Sequence, residues 1–114
     1  MNANQAWTDT GISVVRGEQI SFTTSGQIRV AQGSSRGSSA GPDGNRSVNA
    51  SRANQPVPAM APGGLIARVG GGAPFAIGSN TQPITMPANG RLYLGVNLDQ
   101  VADNSGAFIV SIRR

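Results

Sequence analysis

Two carboxylates, Asp99 and Asp103, lie four residues apart in a short polar stretch that also holds Asn97, Gln100 and Asn104. Carboxylate, amide and backbone oxygens crowded into one loop are the hard ligands that a calcium ion takes. The same residue types also make the side-chain hydrogen bonds of an ordinary polar turn. Calcium loops lack the sharp spacing rules of zinc motifs, so the residues alone leave both readings open. Asp99 and Asp103 are also the one candidate carboxylate pair for hydrolysis. They belong to one short loop, and nothing in the sequence builds a deep cleft around them.

The flanking sequence says how such a loop would be held. Before it, 91–97 alternates, with Leu92, Leu94 and Val96 on one face. After it, 107–113 alternates, with Phe108, Val110 and Ile112 on one face. Period-two alternation marks half-buried strands. The two strands are expected to be adjacent and antiparallel. Upstream, 7–15 reads as a strand broken at Gly11, with Trp7, Ile12 and Val14 inward. A turn at Arg16-Gly17 leads to 18–24, with Ile20 and Phe22 inward, and Ser25-Gly26 leads to Ile28 and Val30. Together these suggest a compact meander. From 31 to 62 the apolar periodicity disappears, and a long irregular excursion is expected, with Gly41-Pro-Asp-Gly44 as a turn and Asp43 a turn residue. Strands resume at 63–69, 73–77 and 82–86, and Ala88-Asn-Gly90 reads as a hairpin turn.

The result is an all-β chain: one small, jelly-roll-like β-sandwich over residues 1–114, with about eight strands and one long irregular loop. Its composition excludes several chemistries. The 114 residues contain no Cys and no His, which removes disulfides, Cys/His zinc sites and His-dependent nucleophilic triads. No apolar run is long enough to span a membrane, and residues 1–7 lack the apolar core of a signal peptide. The net charge of +4 rests on nine arginines scattered from 16 to 114, with one Trp, one Tyr and three Phe. Nucleic-acid binding calls for clustered charge and aromatic platforms, and none is expected here.

Several segments, in order, resemble the PA-I-like galactophilic lectins, which are bacterial calcium-dependent galactose-binding β-sandwiches. They are Trp7-Thr-Asp-Thr-Gly-Ile12, the Gly-Glu-Gln-Ile of 17–20, Ser25-Gly26, Gly41-Pro-Asp-Gly44, Gly64-Leu-Ile-Ala-Arg-Val-Gly70 and Asp103-Asn-Ser-Gly-Ala-Phe108. The resemblance covers nearly the whole chain. It implies a calcium site made by the side chains of Asp103 and Asn104 and by the backbone carbonyls of Gln100 and Val30. A further aspartate follows the Asn that ends the penultimate strand in that family; here Leu98 follows Asn97, and Asp99 comes one place later. On the sugar side the resemblance implies Asp99, Gln100 and Asp103, with Arg46 and Asn49 beside the pocket. The best-known member has a His-Pro-x-Gln segment after Gly-Pro-x-Gly, and the matching stretch here is Val48-Asn-Ala-Ser51. The expected role is a calcium-dependent lectin for galactosides or related glycans, without enzymatic activity and assembled as a homo-oligomer. An extracellular or cell-surface location is compatible with it. The alternative is a structural or adhesion sandwich that has lost the site.

Overall fold

The computed structural model describes residues 7–30, 38–44, 56–57, 60, 63–97 and 105–113. Among the described residues ten strands follow one another: β1 Trp7–Val14, β2 Gln19–Ser25, β3 Ile28–Val30, β4 Ser38–Ala40, β5 Leu65–Val69, β6 Phe75–Ala76, β7 Ile84–Thr85, β8 Gly90–Val96, β9 Ser105–Gly106 and β10 Ile109–Arg113. They form a four-stranded sheet β1-β8-β5-β6, a three-stranded sheet β10-β2-β7 and a three-stranded ribbon β4-β3-β9. Every pairing is antiparallel. Among the described residues no helix is long and apolar enough to cross a membrane.

The alternating patterns do what they imply. Leu92, Leu94 and Val96 of β8 stand beside Val69, Ala67 and Leu65 of β5. All six are buried in one cluster with Val14, Ile20, Phe22, Ile28 and Phe108. Val110 and Ile112 pack against that cluster. The core is therefore the layer between the sheets, as in a sandwich.

Five expectations need correcting. The strands around the acidic loop are not neighbours, because β8 lies between β1 and β5 whereas β10 pairs with β2. Asn97, after β8, and Ser105, in β9 of the ribbon, thus stand at different sheets. The Ala88-Asn-Gly90 segment is likewise a crossover between β7 and β8, and β1 to β3 fall in three different sheets instead of a meander. The excursion after Val30 is not wholly irregular, since Ser38–Ala40 pairs along β3 and buries Ala40. Finally, Trp7 is outside the core. It pairs with Gly95, between the inward Leu94 and Val96, so it faces outward. There the Arg68 guanidinium lies 4.4 Å from its ring centroid, a cation–π contact. A register shift between Asp9 and Ser13, with Gly11 at φ 78°, produces the expected break in β1.

Candidate functional site

The expected calcium and sugar residues belong to two excursions from this frame, 45–55 and 98–104. Asp99, Gln100, Asp103, Asn104, Arg46 and Asn49 lie outside the described residues; Val30 lies within them. What the structure gives is the set of anchors from which those excursions leave and to which they return.

Asn97 is the central anchor. It directly follows β8, it is completely buried, and it is the one buried polar residue among the described residues. Its Oδ1 accepts the Val57 N–H at 2.8 Å. Its Nδ2 donates to the carbonyls of Val57 at 2.8 Å and Met60 at 3.1 Å. Its backbone N–H donates to the Gly64 carbonyl at 2.9 Å, and its own carbonyl accepts from Gly63 at 3.1 Å. Only an amide meets this demand for one acceptor and two donors. Asn97 therefore holds Val57 and Met60 to one buried point beside the end of β8. Sequence reasoning placed it among the loop amides; its side chain works as an internal brace.

The far end of the acidic stretch returns at β9, where Ser105 pairs with Arg29 and Gly106 with Ile28. Val30, the next residue of β3, has Ser38 of β4 as its partner. The end of β3 thus stands beside the point where the chain resumes after Asp103 and Asn104. Gly106 is required for this approach. Its φ is +83°, and a Cβ there would stand 3.0 Å from the Gln27 carbonyl and 3.3 Å from the Ile28 Cα. Such a backbone conformation strains any other residue.

The other end of 45–55 leaves the Gly41–Gly44 turn, which closes as expected with Gly44 N–H donating to the Gly41 carbonyl at 2.9 Å. Pro42 accepts the Leu65 N–H at 2.8 Å, which fastens the turn to β5. Asp43 adds a second tether. Its Oδ1 accepts the Ser79 N–H at 2.7 Å and its Oδ2 accepts the Ser79 hydroxyl at 2.6 Å. Gly78 leaves room for that carboxylate at φ +60°. The two bonds from Ser79, side chain first and backbone second, hold the Asp43 pKa below the ordinary 3.8. A depressed carboxylate pKa stabilises the fold above the unfolded-state value, and that contribution fades as pH falls through the folded value. Asp43→Ala is accordingly expected to lower the melting temperature at pH 7, with the gap to wild type closing in acid below the ordinary carboxylate range. A gap of equal size at both pH values would remove the charge from the account.

Among the described residues, no three Asp, Glu, His or Cys side chains come together to hold a metal. No family model matches the chain, and no curated protein matches it. Among solved structures, the chain is similar to one described as the EclA N-terminal domain, a PllA-like lectin. The two superpose with a TM-score of 0.75 at 27% identity, over 99% of this chain and 91% of that one. The fold is therefore a lectin fold.

Proposed function

We propose that this chain is a calcium-dependent carbohydrate-binding module that binds and releases glycans without reacting with them. The observation that carries the proposal is the near-complete superposition on a PllA-like lectin domain. The anchors support it. The 45–55 and 98–104 excursions share the Asn97 brace, and the end of β3 adjoins the return of the acidic stretch.

The donor chemistry fits calcium. Asp99, Asp103 and Asn104 offer side-chain oxygens and Gln100 and Val30 offer carbonyls, all hard ligands, with no thiol or imidazole anywhere in the chain. A bound calcium ion supplies open coordination positions that paired sugar hydroxyls can occupy. The chain's own part is to read the remaining hydroxyls through Asp99, Gln100 and Asp103, with Arg46 and Asn49 at the side. Calorimetric titration with calcium, followed by a glycan array with and without EDTA, tests the proposal. Saturable uptake and EDTA-sensitive array signals are expected. No uptake and a silent array would leave a structural sandwich.

Sugar choice follows from Val48-Asn-Ala-Ser51, which lacks the imidazole and the amide of the resembled segment. Losing a hydrogen-bond donor from a sugar site costs about 1–3 kcal/mol, roughly tenfold to hundredfold in affinity. Free galactose is expected to bind only at millimolar levels or more weakly. Tight calcium-dependent binding of galactose would show that Arg46 or Asn49 replaces the missing contact.

Weak single sites gain from multivalency, and a homo-oligomer, first of all a dimer, is the expected state. Ile109 on β10 is 70% exposed, opposite the core residues of its strand. Light scattering should give a multiple of 11.6 kDa; the single-chain mass rejects assembly.

A further inference from the structure

A groove of about 500 Å³ opens where the last strands of the two main sheets face each other, with β6 on one side and β7 on the other. Its volume lies within the roughly 300–1,000 Å³ of small-ligand sites. Pro74, Phe75 and Pro87 give it apolar surface, and among the described residues none with a charge lines it.

The backbone at its rim is available. In an antiparallel strand, alternate residues turn their N–H and C=O to opposite edges. Ile77 donates to Leu65 of β5, so Phe75, two residues earlier, also faces β5 and Ala76 faces away. Met86 donates to Glu18, and its carbonyl accepts from Gly17. Ile84 therefore also turns to β2, and Thr85 faces away. Ala76 and Thr85 both line the groove. Each brings one outward N–H and one outward C=O. Asn80 joins them; its Oδ1 accepts the Gln82 N–H at 3.0 Å, and its amide nitrogen completes a set of neutral donors and acceptors.

From this arrangement we infer that the β6–β7 groove is a second, calcium-independent carbohydrate site for a neutral sugar unit. A pyranose has apolar C–H faces for Phe75 and the prolines and a rim of hydroxyls for Ala76, Thr85 and Asn80. Among the described residues the groove has no carboxylate to hold a metal and no charge to match an ionic ligand. An added peptide strand is the competing occupant, since unpaired sheet edges invite one. Pro74 on one side and Pro83 and Pro87 on the other leave each edge a single outward-facing residue, too short for a ladder.

The test uses the whole ¹⁵N-labelled chain in excess EDTA, titrated separately with methyl galactoside, methyl glucoside and N-acetylglucosamine. The Ala76 and Thr85 amides should shift together and saturate at millimolar sugar for at least one of them. Thr85→Pro deletes the outward N–H together with the Thr side chain and keeps the bonds of Met86 to Gly17 and Glu18. It should weaken that binding, read at the Ala76 amide, about tenfold while leaving the Met86 amide, bonded to Glu18, as protected from hydrogen exchange as in wild type. Ala76→Pro repeats the test from the other rim should the first variant fail to fold. Absence of saturable shifts at both amides with all three sugars overturns the inference. So does a blocked Thr-Val-Thr-Val peptide moving them where no sugar does. Because calcium is absent throughout, the outcome is separate from that of the calcium loop.

Discussion

Asn97→Ala is expected to lower stability by about 3 kcal/mol, the cost of leaving several polar groups without partners inside the fold. The substitution strands the Val57 N–H, the Val57 carbonyl and the Met60 carbonyl at once, all of which bond to the Asn97 side chain. For a chain of this size the melting temperature should fall by on the order of 10 °C. Asn97→Asp should not rescue it. A carboxylate has no N–H to give, and it would face two carbonyls from a fully buried position. The Val57 amide should lose its protection from hydrogen exchange before the β8 amides do, because Asn97 is its acceptor. A variant that melts within about 2 °C of wild type would mean that water replaces the brace.

That role also marks where the sequence stops being readable. Alternation in 91–97 and 107–113 showed which side chains point inward, and Leu92, Leu94, Val96 and Phe108 are buried accordingly. It carried no information about partners. A strand's neighbours depend on where the rest of the chain goes, and β8 joins β1 through pairs as distant as Trp7 and Gly95. The eight strands with apolar alternation or apolar runs were legible. β4 was not, because Ser38-Ser-Ala40 offers no pattern and is a strand only through β3. β9 was not, being two residues long and held by its pairing. Trp7 was read inward for its size, yet its register with Gly95 turns it out, where Arg68 covers it.

The site divides in the same way. The Gly-Pro-Asp-Gly turn was legible, because its turn bond is local. The tether from Asp43 to Ser79, 36 residues on, was not. Nor was the reach of Asn97 to a carbonyl 40 residues back. An Asn beside two aspartates looks the same on paper whether it binds a metal, caps a turn or braces a loop. Only the positions of its acceptors separate those roles.

Asp103→Ala should abolish calcium uptake. The acidic stretch 98–104 holds two carboxylates, and the chain holds five acidic residues in all. Calcium affinity rises with the number of charged ligands and with the rigidity of the site. Asp103 stands at the position that the resemblance makes a side-chain ligand, two residues before Ser105, which pairs with Arg29 of β3. Asp99 follows Leu98 at the other end, one place later than in the resembled lectins. Its loss should weaken uptake less. Asp103→Asn keeps an oxygen but loses the charge and should fall between wild type and Asp103→Ala. Melting gives an independent reading. At calcium about a hundredfold above Kd, an ion that binds only the folded chain adds roughly 2.7 kcal/mol, on the order of 10 °C for a domain of this size. EDTA should remove that increment from wild type and have no effect on Asp103→Ala. Such a pattern separates a lost ligand from a damaged fold, because a merely destabilised variant would still gain from calcium. Unchanged calcium affinity in Asp103→Ala would move the site away from the 98–104 stretch altogether.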